Sequence, residues 1–154
     1  MAKSMPTTAE LLETRQRILV TGGAGFIGGA VVRRLLRESD AVVFNLDKMG
    51  YASDLTSIEE VIQELGVEHQ KRHQLQPIDL CDALAVQKAV IEANPDLVMH
   101  LAAESHVDRS ISGPGVFIES NVTGTYNLLQ AVRSHFEQLT PERREPFRLH
   151  HIST

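Results

Sequence analysis

The chain has 154 residues, of which 42% are hydrophobic and 23% charged, a composition that fits one globular domain and excludes a disordered one. Its formal net charge of −5 argues against a nucleic-acid binder, because the one dense basic stretch, Arg143-Arg144 near Arg148, is broken by Glu142 and Glu145 and reads as a solvated loop. The single cysteine, Cys81, excludes an internal disulfide, no apolar run approaches the roughly 20 residues that span a bilayer, and residues 1–16 lack a signal-peptide core; a cytoplasmic protein with a short N-terminal tail is expected.

Along the chain, β-rich and helical patterns alternate. Residues 17–21 form a short β-rich run, followed by glycines and then by a helix over 26–38 with Ile27, Ala30, Val31 and Leu35 at helical spacing. Residues 41–46 are almost continuously apolar, as parallel strands buried on both faces are. A polar loop over 48–56 leads to Ser57, which reads as the cap of a helix ending at Gly66. The polar residues of 68–76 suggest an edge strand. Asp82 starts a helix that Asn94-Pro95 stops, and 96–101 is a fourth strand. Pro114 opens a long helix reaching Leu139, a loop with two prolines covers 140–146, and 147–152 is a fifth strand. This alternation implies an α/β, Rossmann-type doubly wound parallel sheet of about five strands in order 3-2-1-4-5, with a ligand crevice between strands 1 and 4.

The strongest motif is Thr21-Gly22-Gly23-Ala24-Gly25-Phe26-Ile27-Gly28, which leaves a strand and enters a helix. Gly22 permits a tight turn, Gly25 lets a pyrophosphate approach the backbone, and Gly28 lets the helix pack close to the sheet. The alternative is an ordinary glycine-rich turn. Asp47 closes strand 2, nineteen residues past Gly28, where a carboxylate accepts hydrogen bonds from adenosine ribose hydroxyls. It would repel a 2′-phosphate, so NAD is favoured over NADP; Lys48 weakens that field without reversing it. Asp79 is either a contact to the adenine edge or a turn residue before the next helix. After strand 4, small Ala102 and Ala103 leave room for a flat cofactor, although ordinary close packing would also select them. No pair among the seven histidines and Cys81 has metal-ligand spacing with a third ligand in support, and adjacent His150 and His151 face opposite sides of a strand, so no metal is expected.

The stretches TGGAGFIG at 21–28, LDKMGYASDL at 46–55, IDLCD at 78–82, HLAAESHVDRSI at 100–111, FIESNVTGTYNLL at 117–129 and HHIST at 150–154 resemble the dTDP-glucose 4,6-dehydratases of the extended short-chain dehydrogenase/reductases. The resemblance covers residues 17–154, read as an NAD-binding domain without its substrate domain. It implies transient oxidation of a dTDP-glucose at carbon 4 by NAD⁺, loss of water across carbons 5 and 6, and return of the hydride to carbon 6. Carried over by residue, it places the amides of Phe26 and Ile27 on the pyrophosphate. Asp47, Lys48 and Met49 then surround the ribose, with Asp79 and Leu80 at the adenine. Leu101, Ala102, Ala103 and Ser105 line the cofactor, and Ser105 and Thr154 approach the sugar. Ser120 stands where the family has threonine and keeps the hydroxyl; Gly50 replaces a threonine common in the family.

The family's Asp-Glu pair and Tyr-x-x-x-Lys do not follow Thr154, and neither Tyr51 nor Tyr126 has lysine four residues on. The resemblance therefore implies an N-terminal portion cut after strand 5 and inactive alone. A free-standing NAD-binding module and another sugar-nucleotide epimerase or dehydratase are the alternatives. Apolar residues on more than one side of the 114–139 helix, including Val116, Val122, Leu128, Leu129 and Val132, suggest a homodimer or self-association through it.

Overall fold

Runs of β-branched and large apolar residues dictate a parallel sheet. β1 (Arg17–Thr21), β2 (Val42–Leu46), β3 (His73–Gln76), β4 (Leu97–His100) and β5 (Arg148–His151) pair in the order β3-β2-β1-β4-β5, as the alternation of elements predicts. The computed structural model describes residues 16–106, 108, 111 and 113–152; most of the expected N-terminal tail, and Thr154, lie outside them. Thr21 pairs with Leu46 on one side and His100 on the other, so the three central strands end level. Side chains alternate across the sheet. Leu19, Phe44 and Val98 pack against α3 (Ala83–Ala93) and α5 (Thr125–Gln138), while Ile18, Val20 and Val43 pack against α1 (Phe26–Glu38) and α2 (Thr56–Leu65). The result is a three-layer doubly wound fold.

Four local expectations are corrected. Residues 67–72 form a 3₁₀ turn, leaving only four residues for β3. The turn is held because Arg72 turns inward, donating to the carbonyls of Leu36, Ser39 and Ala41. Ser57 does not cap α2; its hydroxyl accepts from the Arg33 guanidinium, and Asp54 takes the Thr56 amide at 2.9 Å instead. The helix after Pro114 is not uniform: α4 (Pro114–Phe117) runs into a π-helical stretch, Ile118–Gly124, before α5. The 140–146 loop contains α6 (Pro141–Arg144) and is not merely solvated. Arg143 reaches Asp96 at 2.8 Å and the side chain of Asn94 at 2.9 Å, and Arg144 donates to the carbonyls of Glu137 and Leu139 while lying over the Phe136 ring. The arginine pair thus fastens the end of α5 and the start of β4.

Other boundaries follow the chemistry of their residues. Asp82 caps α3 by accepting from the Ala85 amide at 3.0 Å, and Asn94 closes it in the left-handed region at φ 41°. Of the apolar residues on the long helical run, Leu128 and Val132 enter the core, whereas Val116, Val122 and Leu129 stay exposed. Among the described residues, no helix is long and apolar enough to cross a membrane.

Candidate functional site

The site forms where β1 hands over to α1. Gly22 adopts φ +71°, and a Cβ there would fall 2.7 Å from Ala102 Cα, so the glycine both makes the turn and lets the segment after β4 lie against it. A Cβ on Gly28 would sit 2.0 Å from the Gly22 carbonyl oxygen, which explains why helix and loop can meet so closely. Gly25 is different. Its Cβ would meet only the Gly22 oxygen, at a tight 3.3 Å and without the hard clash seen at Gly28, and the missing side chain leaves the loop open from outside. Gly25 also offers no side chain to cap α1, so the first-turn amides, Phe26 and Ile27 included, lack an acceptor from their own helix. Open donors facing an open surface form a cradle suited to a phosphate. Both side chains that follow, Phe26 and Ile27, are exposed.

Asp47 fixes the rim of this cradle. It is buried, and its Oδ2 accepts from the Ala24 amide at 3.0 Å. Its Oδ1 accepts from the Met49 amide at 2.9 Å and the Ser53 hydroxyl at 2.7 Å. The loop after β2 folds around the carboxylate, with Met49 at φ 55°, and returns to the glycine loop where the Asp54 amide donates to the Ala24 carbonyl at 2.8 Å. A carboxylate has about four acceptor positions, so three bonds leave Oδ2 room for one hydroxyl. Asp79 makes a turn bond, its Oδ1 taking the Cys81 amide at 2.9 Å, and it is exposed beside buried Leu80.

The end of β4 is held by a network that sequence reading missed. Thr21 Oγ1 lies 2.6 Å from His100 Nδ1 and accepts from the Ala102 amide at 3.2 Å; His100 Nε2 lies 3.0 Å from Thr125 Oγ1. The imidazole is buried between two hydroxyls and stacks on His151 of β5, with ring centroids 4.9 Å apart. Burial, reinforced by His151, pushes His100 down to about 4, so it is neutral at pH 7. Further along, the Glu104 amide donates to Asn121 Oδ1 at 2.8 Å and the Asn121 amide group donates back to the Glu104 carbonyl at 2.9 Å. Asn127 donates to the Leu80 carbonyl at 2.9 Å, and Gly124 packs under Leu80, where a Cβ would meet the Leu80 Cβ at 2.9 Å. The helical run 114–138 therefore anchors both segments expected to line a cofactor. The signal available in the sequence was the polar residues of ESNVTGTYN within a helix rich in apolar residues.

Leu101 and Ala102 are half-buried, Ala103 and Ser105 exposed, and Ser120 half-buried within the π-helical stretch. All lie near the level ends of β1 and β4 or on the helix packed beside them. Thr154, the expected sugar contact, is outside the described residues. Lys48 and Glu104 form an ion pair at 2.8 Å, and the rings of Tyr51 and His106 approach to 5.8 Å, so the loops after β2 and β4 touch each other across the strand between them.

A family model described as GDP-mannose 4,6 dehydratase matches residues 19–154. The chain belongs to that family. Within this family it is 49% identical over 138 residues to a dTDP-glucose 4,6-dehydratase of Shigella flexneri, covering 90% of this chain and 37% of that relative. The chain thus spans little more than a third of the length of the curated relatives it matches. Among solved structures, dTDP-glucose 4,6-dehydratase from Streptomyces venezuelae with NAD and TYD bound is similar at TM-score 0.67 and 38% identity, covering 78% of this chain and 36% of that one. UDP-glucose 4-epimerase of Thermus thermophilus in complex with NAD is similar at TM-score 0.63 and 34% identity, covering 78% of this chain and 34% of that one. The resemblance to dTDP-glucose 4,6-dehydratases read from the motifs is borne out by these relatives.

Two outcomes follow from the geometry. Gly28→Ala should destabilise the fold by at least about 2 kcal/mol in urea titrations, whereas Gly29→Ala should be neutral or stabilising by up to about 1 kcal/mol, because its Cβ would meet the Gly23 oxygen at an ordinary 3.6 Å. Equal losses in the two variants would contradict the clash. His100 should contribute stability that is complete above its unfolded pKa near 6.5 and is lost as pH falls toward about 4, on the order of 3 kcal/mol at the extreme. The stability gap between the natural protein and His100→Gln should then narrow from pH 7 to pH 4.5; a constant gap would refute the assignment.

Proposed function

We propose that residues 17–154 are the NAD-binding domain of a dTDP-glucose 4,6-dehydratase. The observation that carries this reading is the seating of Asp47, whose bond to the Ala24 amide fixes a negative charge on the rim of the glycine cradle. A carboxylate there accepts from ribose hydroxyls and opposes a 2′-phosphate, which supports NAD⁺ over NADP⁺. The amides of Phe26 and Ile27 serve the pyrophosphate, Asp47, Lys48 and Met49 the ribose, and Asp79 and Leu80 the adenine. Leu101, Ala102, Ala103, Ser105 and Ser120 line the remainder, and Ser105 with Thr154 meets the sugar. NAD⁺, when bound, supplies the hydride acceptor for a sugar carbon. The residues of this chain orient it: the Thr21–His100–Thr125 network holds the backbone after β4, and Asn121 and Asn127 hold the segments on either side of the adenosine half.

dTDP-glucose is the proposed substrate because the curated relatives that match 90% of this chain at 45–49% identity, those of Shigella flexneri and Salmonella typhimurium among them, carry that name. Self-association is proposed through the helix expected over 114–139, on which Val116, Ile118, Val122 and Leu129 are exposed.

Calorimetry on this chain should give a Kd for NAD⁺ at least about tenfold below that for NADP⁺. The protein as expressed from its natural gene should convert dTDP-glucose to a 4-keto-6-deoxy product faster than it converts GDP-mannose. Preference for NADP⁺, or for GDP-mannose, would overturn the corresponding half of the reading. Sedimentation should show association that Leu129→Glu weakens; a clean monomer at high concentration would sink the interface.

A further inference from the structure

NADP⁺ differs from NAD⁺ only by a phosphate on the adenosine 2′-oxygen, the group that a carboxylate at the end of β2 faces. Asp47 alone would reject it. Its neighbour Lys48 is the kind of cation that could neutralise that phosphate, so the dipeptide by itself is ambivalent. The geometry removes the ambivalence. Lys48 Nζ is bonded to Glu104 Oε1 at 2.8 Å, and the Glu104 side chain is only 11% exposed. Glu104 is no wandering surface partner, because Asn121 holds both its amide and its carbonyl. The pair raises the Lys48 pKa through the hydrogen bond to Glu104, so the ammonium stays charged, and Asp79 acts in the same direction from nearby. Around Lys48 the fixed charge is therefore net negative: Asp47, Glu104 and Asp79 against one ammonium.

Taking NAD⁺ as the ligand of this crevice, as argued above, we propose that Glu104 determines dinucleotide specificity by occupying Lys48, so that its ammonium is not offered to a 2′-phosphate. Glu104 acts through Lys48 and is a specificity-determining residue, not a catalytic one. Three features make the arrangement effective. The contact spans two loops 56 residues apart, so it forms only in the folded crevice. The acid is the less exposed partner, so the lysine is drawn toward it and away from solvent. The Tyr51–His106 contact joins the same two loops a few residues further on, which fixes their separation independently of the ion pair.

The test is calorimetry with NAD⁺ and NADP⁺ on the full chain, read as the ratio of the two dissociation constants. Glu104→Gln should reduce the preference for NAD⁺ by roughly three- to tenfold, chiefly by tightening NADP⁺. The effect is expected to be no larger, because Asp79 remains beside Lys48. Lys48→Met, at a residue assigned to the ribose, is measured as the reference for the double variant, because it lacks the ammonium that Glu104 would release. The double variant Lys48→Met/Glu104→Gln should match the ratio of Lys48→Met, because the released charge is gone. If Glu104→Gln unfolds by circular dichroism, Glu104→Ala, which also removes the charge and keeps the backbone bonds to Asn121, carries the same expectation. NAD⁺ binding with an unmoved ratio in the Glu104 variant, or a double variant that keeps its change, overturns the role of Glu104 while leaving NAD⁺ as the ligand. A natural chain that binds neither dinucleotide overturns both readings.

Discussion

The hydrogen bond from the Ala24 amide to Asp47 Oδ2 is the constraint on which the rest of the crevice depends. Ala24 is used at both ends, its carbonyl accepting from the Asp54 amide, so the loops after β1 and β2 are sewn together at one residue. Removing the carboxylate would leave the buried Ala24 amide without an acceptor, at a cost of roughly 1–3 kcal/mol, and would release the part-buried Met49 amide and Ser53 hydroxyl. The charge proposed to meet a ribose is thus first a structural charge. That double duty explains why its position is so well defined: the three bonds that order the loop also hold the carboxylate in place.

A second layer of order comes from the helical run beside β4. Three of its polar residues, Asn121, Thr125 and Asn127, are half-buried and bond neighbouring segments, unlike the polar face of an ordinary surface helix. Asn121 reaches the backbone after β4, Thr125 reaches His100, and Asn127 reaches the backbone after β3. The π-helical stretch lies where these contacts begin and includes Asn121. Widening the helix by one residue per turn shifts which side chains share a face, and such stretches concentrate at functional positions. The shift brings Asn121 over the Glu104 backbone while Gly124 still packs under Leu80.

The strands, their order and the glycine loop were legible because each is written locally, in a few neighbouring residues of fixed period or type. Asp47 was legible for the same reason, through its distance from Gly28. What escaped reading depended on partners far along the chain. Ser57 reads as a cap until Arg33 takes its hydroxyl, and Arg143 reads as solvated until Asp96 meets it 47 residues away. The polar stretch 68–76 reads as strand until Arg72 turns back on the carbonyls of Leu36 at the end of α1 and of Ala41 before β2. The polar run that contains Asn121 marked the segment but not the partner, since an asparagine in mid-helix is informative only once its acceptor is known.

The pairing of Thr21 with His100 also bears on how the chain comes to be folded. β1 acquires β2 after a short excursion, but its other edge stays bare until a strand 79 residues further on is available. Closing so long a loop is slow relative to the local pairings of β1, β2 and β3. During synthesis, the apolar side chains of β1 at that edge therefore pass through a stage in which they are half-covered, and an unpaired edge of this kind is a template for strands of other chains. The Thr21–His100–Thr125 contact ends that stage, because it can form only when β1, β4 and the helix that follows are all in place.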